Sequence, residues 1–163
     1  QFCASIGVDA LILQDFTMIS RIRSIMPDIV LHLSTQAGVH NADGAATAKR
    51  LGFDRVILSR EAMLEDIYKI RDTVDIELEM FVQGALCVSF SGNCYFSSLG
   101  SGYSGNRGKC MQLCRKPYTY HSKTAYWLSP KDICLADHVK QLIDAGVCSF
   151  KIEGRMRRPE YAG

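Results

Sequence analysis

Short apolar runs alternate with stretches in which apolar residues recur every three or four positions. Ala10-Leu11-Ile12-Leu13 predicts a strand, and Ile19, Ile22, Ile25 and Met26 fall at helical spacing behind it. The unit returns in Ile29 to Leu33, followed by an Ala-rich helix that ends near Leu51-Gly52, glycine being a natural helix stop. It returns again in Val56-Ile57-Leu58, followed by a helix from Glu61 to about Arg71. A fourth strand over Ile76 to Val82 alternates Glu77 and Glu79 with Leu78 and Met80, and a last unit runs from a helix over Ile133 to Ala145 into a strand over Ser149 to Ile152. Strands separated by helices argue for a parallel sheet in an α/β fold, closed into a barrel or open and doubly wound; periodicity does not choose between them.

In either architecture the residues just after each strand gather at the edge where sites form. Asp15, Ser34-Thr35-Gln36, Ser59-Arg60-Glu61, Gln83 and Glu153-Gly154-Arg155 hold those places. Helix capping competes for such residues, but five groups in series point to a rim that binds something. From Gly84 to Ile133 the repeat gives way to a segment rich in Gly, Ser, Cys and Tyr, in which Tyr118-Thr119-Tyr120 followed by Lys123 to Leu128 predicts a β-hairpin. Three regions result: β/α units over 1–83, a Cys-rich loop and hairpin over 84–132, and a final helix and strand over 133–163.

Composition is that of an ordered globular protein, 47% hydrophobic and 22% charged. No apolar run is long enough for a membrane span and no signal-peptide pattern opens the chain, so a cytoplasmic protein without a membrane partner is expected. A net charge of +2 and a pI near 8.2 are too mild to argue for nucleic acid. The chain opens at Gln1 without a methionine and reads as a piece of a longer polypeptide.

Seven cysteines change the picture, because Cys87, Cys94, Cys110 and Cys114 crowd into one stretch. An odd count and no export signal favour a metal or redox site over disulfides. Four thiolates suit tetrahedral zinc or a 4Fe-4S cluster, and the absence of paired C-x2-C knuckles tilts the choice toward the cluster. Cys3, Cys134 and Cys148, set in predicted strands or helices, read as core cysteines. His32, His40, His121 and His138 are scattered and read as surface or packing residues. No G-x-S-x-G elbow or H-E-x-x-H site is present, and sequence alone does not place Glu79 and Glu153 within reach of each other.

The stretch from Gln83 to Cys94, with Asn106-Arg107-Gly108-Lys109-Cys110-Met111-Gln112-Leu113-Cys114-Arg115 and Lys151-Ile152-Glu153-Gly154-Arg155-Met156, resembles the U32 peptidase family, also labelled collagenase-like proteases. The likeness continues in Leu33 to Gln36, Leu58 to Glu61 and Leu128 to Asp132. It implies a partial TIM-type (β/α) barrel whose first units lie outside this chain. It also implies a 4Fe-4S cluster, with zinc the alternative, held by Cys87, Cys94, Cys110 and Cys114, with Cys148 and Cys3 as reserves for the fourth place. Where the family commonly has His before Gly-Ala-Leu-Cys this chain has Gln83, which cannot carry a charge near neutral pH.

Relatives in that family hydroxylate an RNA base with prephenate or act in ubiquinone synthesis, whereas the family label says peptidase. The first expectation is therefore an RNA hydroxylase acting on tRNA or rRNA with a small anionic cosubstrate. Gln36, Arg60, Glu61, Gln83, Arg107, Arg115, Lys151, Glu153 and Arg155 are its candidate substrate-binding residues, and Tyr95, Tyr103 and Tyr118 are candidates to stack a base. A collagenase-like peptidase acting on a peptide substrate is the alternative, but no nucleophile is visible for it. A structural metal-binding domain is the third reading.

Overall fold

The computed structural model describes residues 2–154 and 158–161. After a one-turn helix α1 (Phe2–Ser5) come β1 (Ala10–Leu13), α2 (Ile19–Ile25), β2 (Val30–Leu33), α3 (Ala42–Arg50), β3 (Arg55–Ile57), α4 (Leu64–Thr73) and β4 (Glu77–Ala85). The final elements are α6 (Val139–Asp144) and β8 (Val147–Ile152); between them and β4 lie α5 (Phe96–Ser101), the hairpin β5 (Tyr118–Tyr120) and β6 (Lys123–Ala125), and β7 (Asp132–Cys134). β1, β2, β3, β4 and β8 are all parallel, in that order across the sheet. Among the described residues no helix is long and apolar enough to cross a membrane.

Register assigns the two faces of this sheet opposite chemistry. Leu13, Leu33, Val56, Leu78 and Val147 are successive partners across five strands and form one apolar row. Leu31, Leu33, Val56, Leu78 and Met80 join Ala45, Ala48, Ile67, Ile70 and Leu142 from the helices in the main core. Each large aliphatic side chain so buried contributes about 1.5 to 3 kcal/mol. One position along, the opposite face reads Ile12, His32, Arg55 and Glu77, then Ile57, Glu79 and Ser149. This polar face explains the alternation of Glu77 and Glu79 with Leu78 and Met80: the helices cover one side only.

A parallel α/β sheet is present as expected; among the described residues it is open, with β1 and β8 as edges that do not pair with each other, and no barrel closes. Two expectations need correction. Residues 132–134 are not the start of a helix but the short antiparallel strand β7, and α6 begins only at Val139. The reason is hydrogen bonding: β4 runs beyond the three residues of β3, and β7 satisfies the backbone of Gln83 to Ala85 that β3 leaves unpaired. Cys3 is half-buried and Cys134 and Cys148 are exposed, so none of the three is a core cysteine.

The long excursion from Leu86 to Lys131 leaves and rejoins the sheet at neighbouring points, because Ala85 and Asp132 are register partners. Within it the expected hairpin forms, Tyr118 pairing with Ala125 and Tyr120 with Lys123.

Candidate functional site

Above the C-terminal ends of the parallel strands opens a cleft of about 620 Å³. The sheet supplies one wall through Gln36 after β2, Arg60 after β3 and Lys151 to Gly154 on and after β8; the excursion supplies the other. Two glycines let the walls meet. Gly92 has φ of +82°, and a Cβ there would lie 1.8 Å from the Gln36 carbonyl oxygen. Gly84, at φ +145°, would bring a Cβ within 2.4 Å of the Glu153 Cβ. Only glycine permits backbones to approach so closely in such conformations.

All four cysteines of the sequence cluster line this cleft. Cys87 and Cys114 have thiols pushed up, first by desolvation and further by the other cysteines, while Arg60 and Arg115 respectively pull them back. Cys87 is exposed as a residue in the open cleft, yet its sulfur is crowded enough for that desolvation to dominate. Donors aim at two sulfurs. An Arg60 guanidinium N–H lies 3.9 Å from the Cys87 Sγ. Gln112 adopts a left-handed φ of +51°, and its amide donates to the Cys110 Sγ at 3.3 Å. Among the described residues no three His, Cys, Asp or Glu side chains converge on a single metal-ion position.

Beneath the sulfurs sits Phe81, which the sequence reading missed although it shares a face of β4 with Glu79. Arg60 stacks over its ring at 4.5 Å and the Lys151 ammonium stands 5.6 Å from its centroid. Arg60 also donates to Glu153 at 2.8 Å. Lys151 is 3.2 Å from Glu79, whose other oxygen accepts from Arg55 at 3.2 Å and Ser149 at 3.0 Å. Burial alone would raise the Glu79 carboxyl, but Lys151, Ser149 and Arg55 outweigh it and hold the group below the usual carboxylate range. Glu79 and Glu153 thus belong to separate ion pairs rather than a carboxylate dyad.

The substrate-binding candidates divide. Gln36, Arg60, Arg115, Lys151 and Glu153 line the cleft. Glu61 does not: its carboxylate accepts the Ser91 amide at 2.7 Å and holds the loop that leads to Cys94. Gln83 donates to the Tyr161 carbonyl at 2.8 Å and lies outside the cleft. Arg107 is exposed away from the cleft lining. Arg155 falls outside the described residues. Arg115 reaches Asp132 at 2.9 Å and the Leu86 carbonyl at 3.1 Å, which ties the Cys114 turn to the start of the excursion. Asp15 and Ser34 prove to be caps, accepting from the amides of Thr17 and Gln36.

Comparison with known proteins places this geometry in context. The chain is 42% identical over 162 residues to the 23S rRNA 5-hydroxycytidine C2501 synthase of Escherichia coli, covering 95% of this chain and 24% of that protein. It is 34% identical over 168 residues to the tRNA hydroxylation protein P1 of Bacillus subtilis, covering 95% of the chain and 40% of the relative. It is 37% identical over 153 residues to a collagenase of Porphyromonas gingivalis, with 82% and 37% covered. The chain therefore spans between about a quarter and two fifths of the length of these curated relatives. Its fold is similar to the solved structure of the U32 peptidase Mk0906, with a TM-score of 0.54 at 16% identity over 94% of this chain and 57% of that one. The family model described as Peptidase family U32 matches residues 1–163, and the chain belongs to that family.

Proposed function

We propose that this chain is the cluster-bearing part of a cytoplasmic RNA-base hydroxylase, in which Cys87, Cys94, Cys110 and Cys114 hold a 4Fe-4S cluster and the cations beside them bind a small carboxylate such as prephenate. The observation that carries this reading is the convergence of four thiols, Arg60, Lys151 and Arg115 on one cleft at the strand ends. The parallel sheet then forms an arc of a (β/α) barrel, with its polar face toward the barrel interior and the cleft at the strand ends where barrel enzymes work.

The donor set suits such a cluster by its chemistry: four thiols line one cleft, and thiolates are the ligands of iron-sulfur clusters, as they are of structural zinc. A cluster carries its ligands on separate irons and accepts thiolates from separate loops. When bound it would supply electron transfer or a Lewis-acidic iron. The chain's own residues do the rest. N–H groups of Arg60 and Gln112 point at ligand sulfurs, the kind of contact that tunes a cluster. Phe81 and Ile57 give the floor an apolar surface, and Arg60 and Lys151 at its edge offer positive charge to a carboxylate. The rRNA and tRNA hydroxylation relatives favour RNA as the substrate.

The test uses the full-length protein purified without air. The proposal expects about four iron and four sulfide per chain, loss of both on Cys87→Ala or Cys94→Ala, and a hydroxylated base in RNA only when prephenate is supplied. A colourless protein holding one zinc, or peptide hydrolysis that survives those substitutions, overturns it; the second result favours the collagenase-like reading.

A further inference from the structure

Charge is distributed very unevenly along this chain. From Gly84 to Lys131 there is not one Asp or Glu, while Arg107, Lys109, Arg115, Lys116, Lys123 and Lys131 give that stretch a formal charge of +6. All seventeen acidic residues lie elsewhere, and the rest of the chain is net −4. The mild overall balance conceals a strongly basic module. Arg115 is neutralised by Asp132, but Arg107, Lys109, Lys116, Lys123 and Lys131 are exposed.

Aromatic rings stand among these cations on the hairpin. Tyr120 is 66% exposed, Tyr126 63% and Trp127 48%. Trp127 is held in place, because its indole N–H donates to the Tyr118 carbonyl at 2.9 Å and the Lys123 ammonium lies 5.4 Å from its ring centroid. The hairpin is itself fixed to the site: the Tyr118 hydroxyl donates to the Leu113 carbonyl at 2.8 Å, next to Cys114, and its ring stacks with Phe96. Tyr118 is therefore a packing residue; Tyr95 and Tyr103 are exposed before the hairpin, and the hairpin's own exposed rings stand farther along it. Exposed rings cost free energy in water unless something covers them.

We propose that the hairpin from Tyr118 to Leu128 is a docking platform for an unpaired stretch of RNA, with bases stacking on Tyr120, Tyr126 and Trp127 and phosphates meeting Lys116 and Lys123. This deepens the hydroxylase reading and rests on it for the identity of the polyanion. Charge complementarity selects a polyanion, since a module without acidic residues repels nothing negative. The rings select one with unpaired bases, because a duplex keeps its base faces stacked and out of reach. Rigid attachment beside Cys114 gives the platform a purpose: a strand held there is presented at the mouth of the cleft.

The experiment measures binding of a fluorescein-labelled, unstructured 15-nucleotide RNA to the full-length protein across a salt series. Lys116→Glu with Lys123→Glu is expected to weaken binding at least tenfold and to lower the salt slope by about 1.4, at about 0.7 per phosphate contact on a single strand. Trp127→Leu is expected to weaken binding about tenfold with the salt slope unchanged, and Trp127→Phe to restore most of the loss. Iron content and melting temperature, read on each variant, separate loss of the platform from loss of the fold. Unchanged RNA affinity in folded variants overturns the proposal, as does equal wild-type affinity for a duplex of the same length. So does binding of polyglutamate that falls in the same variants while RNA binding does not, which would make the partner an acidic polypeptide. If wild type binds the RNA through this surface yet hydroxylates no base, the platform stands and the hydroxylase reading fails; if the variants hydroxylate RNA normally, only the platform fails.

Discussion

The sheet and the excursion are held together by different physics. From Ala10 to Ala85 the chain is stabilised by an apolar row that crosses strand after strand, with helices packed over it. From Leu86 to Lys131 there is one six-residue helix and one hairpin of three-residue strands, and few large apolar side chains are fully buried. That region is held by point attachments: the Glu61 carboxylate on the Ser91 amide, Arg115 on Leu86 and Asp132, Tyr118 on Leu113, and glycines at close approaches. A core tolerates a lost methylene for about a kcal/mol. A single attachment has no such reserve, so the excursion is the more fragile part, and a bound cluster would be a large part of its stability.

The sharpest way to separate the two regions is Gly92→Ala. The new methyl meets the Gln36 carbonyl in a left-handed backbone, at a cost of about 3 to 5 kcal/mol. The expected outcome is a protein that is cut within 86–131 by limited proteolysis, with the circular dichroism of the sheet retained. Loss of the whole fold in one step would show that the regions are not separable.

Glu79→Gln probes the floor they share. Removing one partner of a buried ion pair costs about 3 kcal/mol, measured by chemical denaturation at neutral pH. The native carboxyl is held below its ordinary range, so its stabilisation is present above the unfolded value and is lost as pH falls through the folded one. The gap between wild type and variant should therefore narrow in acid. A constant gap would mean that the charge is not what matters at this position.

Asn41→Ala is the mildest test and touches the sheet region alone. The Asn41 side chain accepts the Gly44 amide at 2.9 Å at the start of α3, and its loss costs about 1 kcal/mol. Melting temperature should drop slightly while the resistance of 86–131 to limited proteolysis stays constant. Faster cleavage there would mean that the core and the cysteine loops are coupled more tightly than their contacts suggest.

Sequence and structure agree where one signal acts alone. Apolar runs located β1, β2, β3, β4 and β8 because a strand packed under helices has to be apolar at alternate positions. The cysteines declared themselves by crowding into a loop segment without a core. β7 was hidden because its signal is hydrogen bonding to the free edge of β4, and Asp132-Ile133-Cys134 carries only one aliphatic residue to mark it. Glu61 and Gln83 sat at strand ends as binding residues do, but backbone groups of other segments claim their side chains. Phe81 was passed over, although the alternation that sets Glu77 and Glu79 apart from Leu78 and Met80 also puts it on the face opposite the helices. The basic module was visible residue by residue and vanished in the sum, since the acidic remainder nearly cancels it.

Ala85 and Asp132 face each other across one rung of the β4–β7 ladder, so everything between them hangs from a closed clasp. Chain added within such a clasp pays only the slow logarithm of ring closure, about 0.6 kcal/mol for each doubling of length. The parallel-sheet scaffold is therefore indifferent to what it carries there. A cassette of this kind can be lengthened, shortened or exchanged between cousins that treat different molecules, while the strands beneath keep their register.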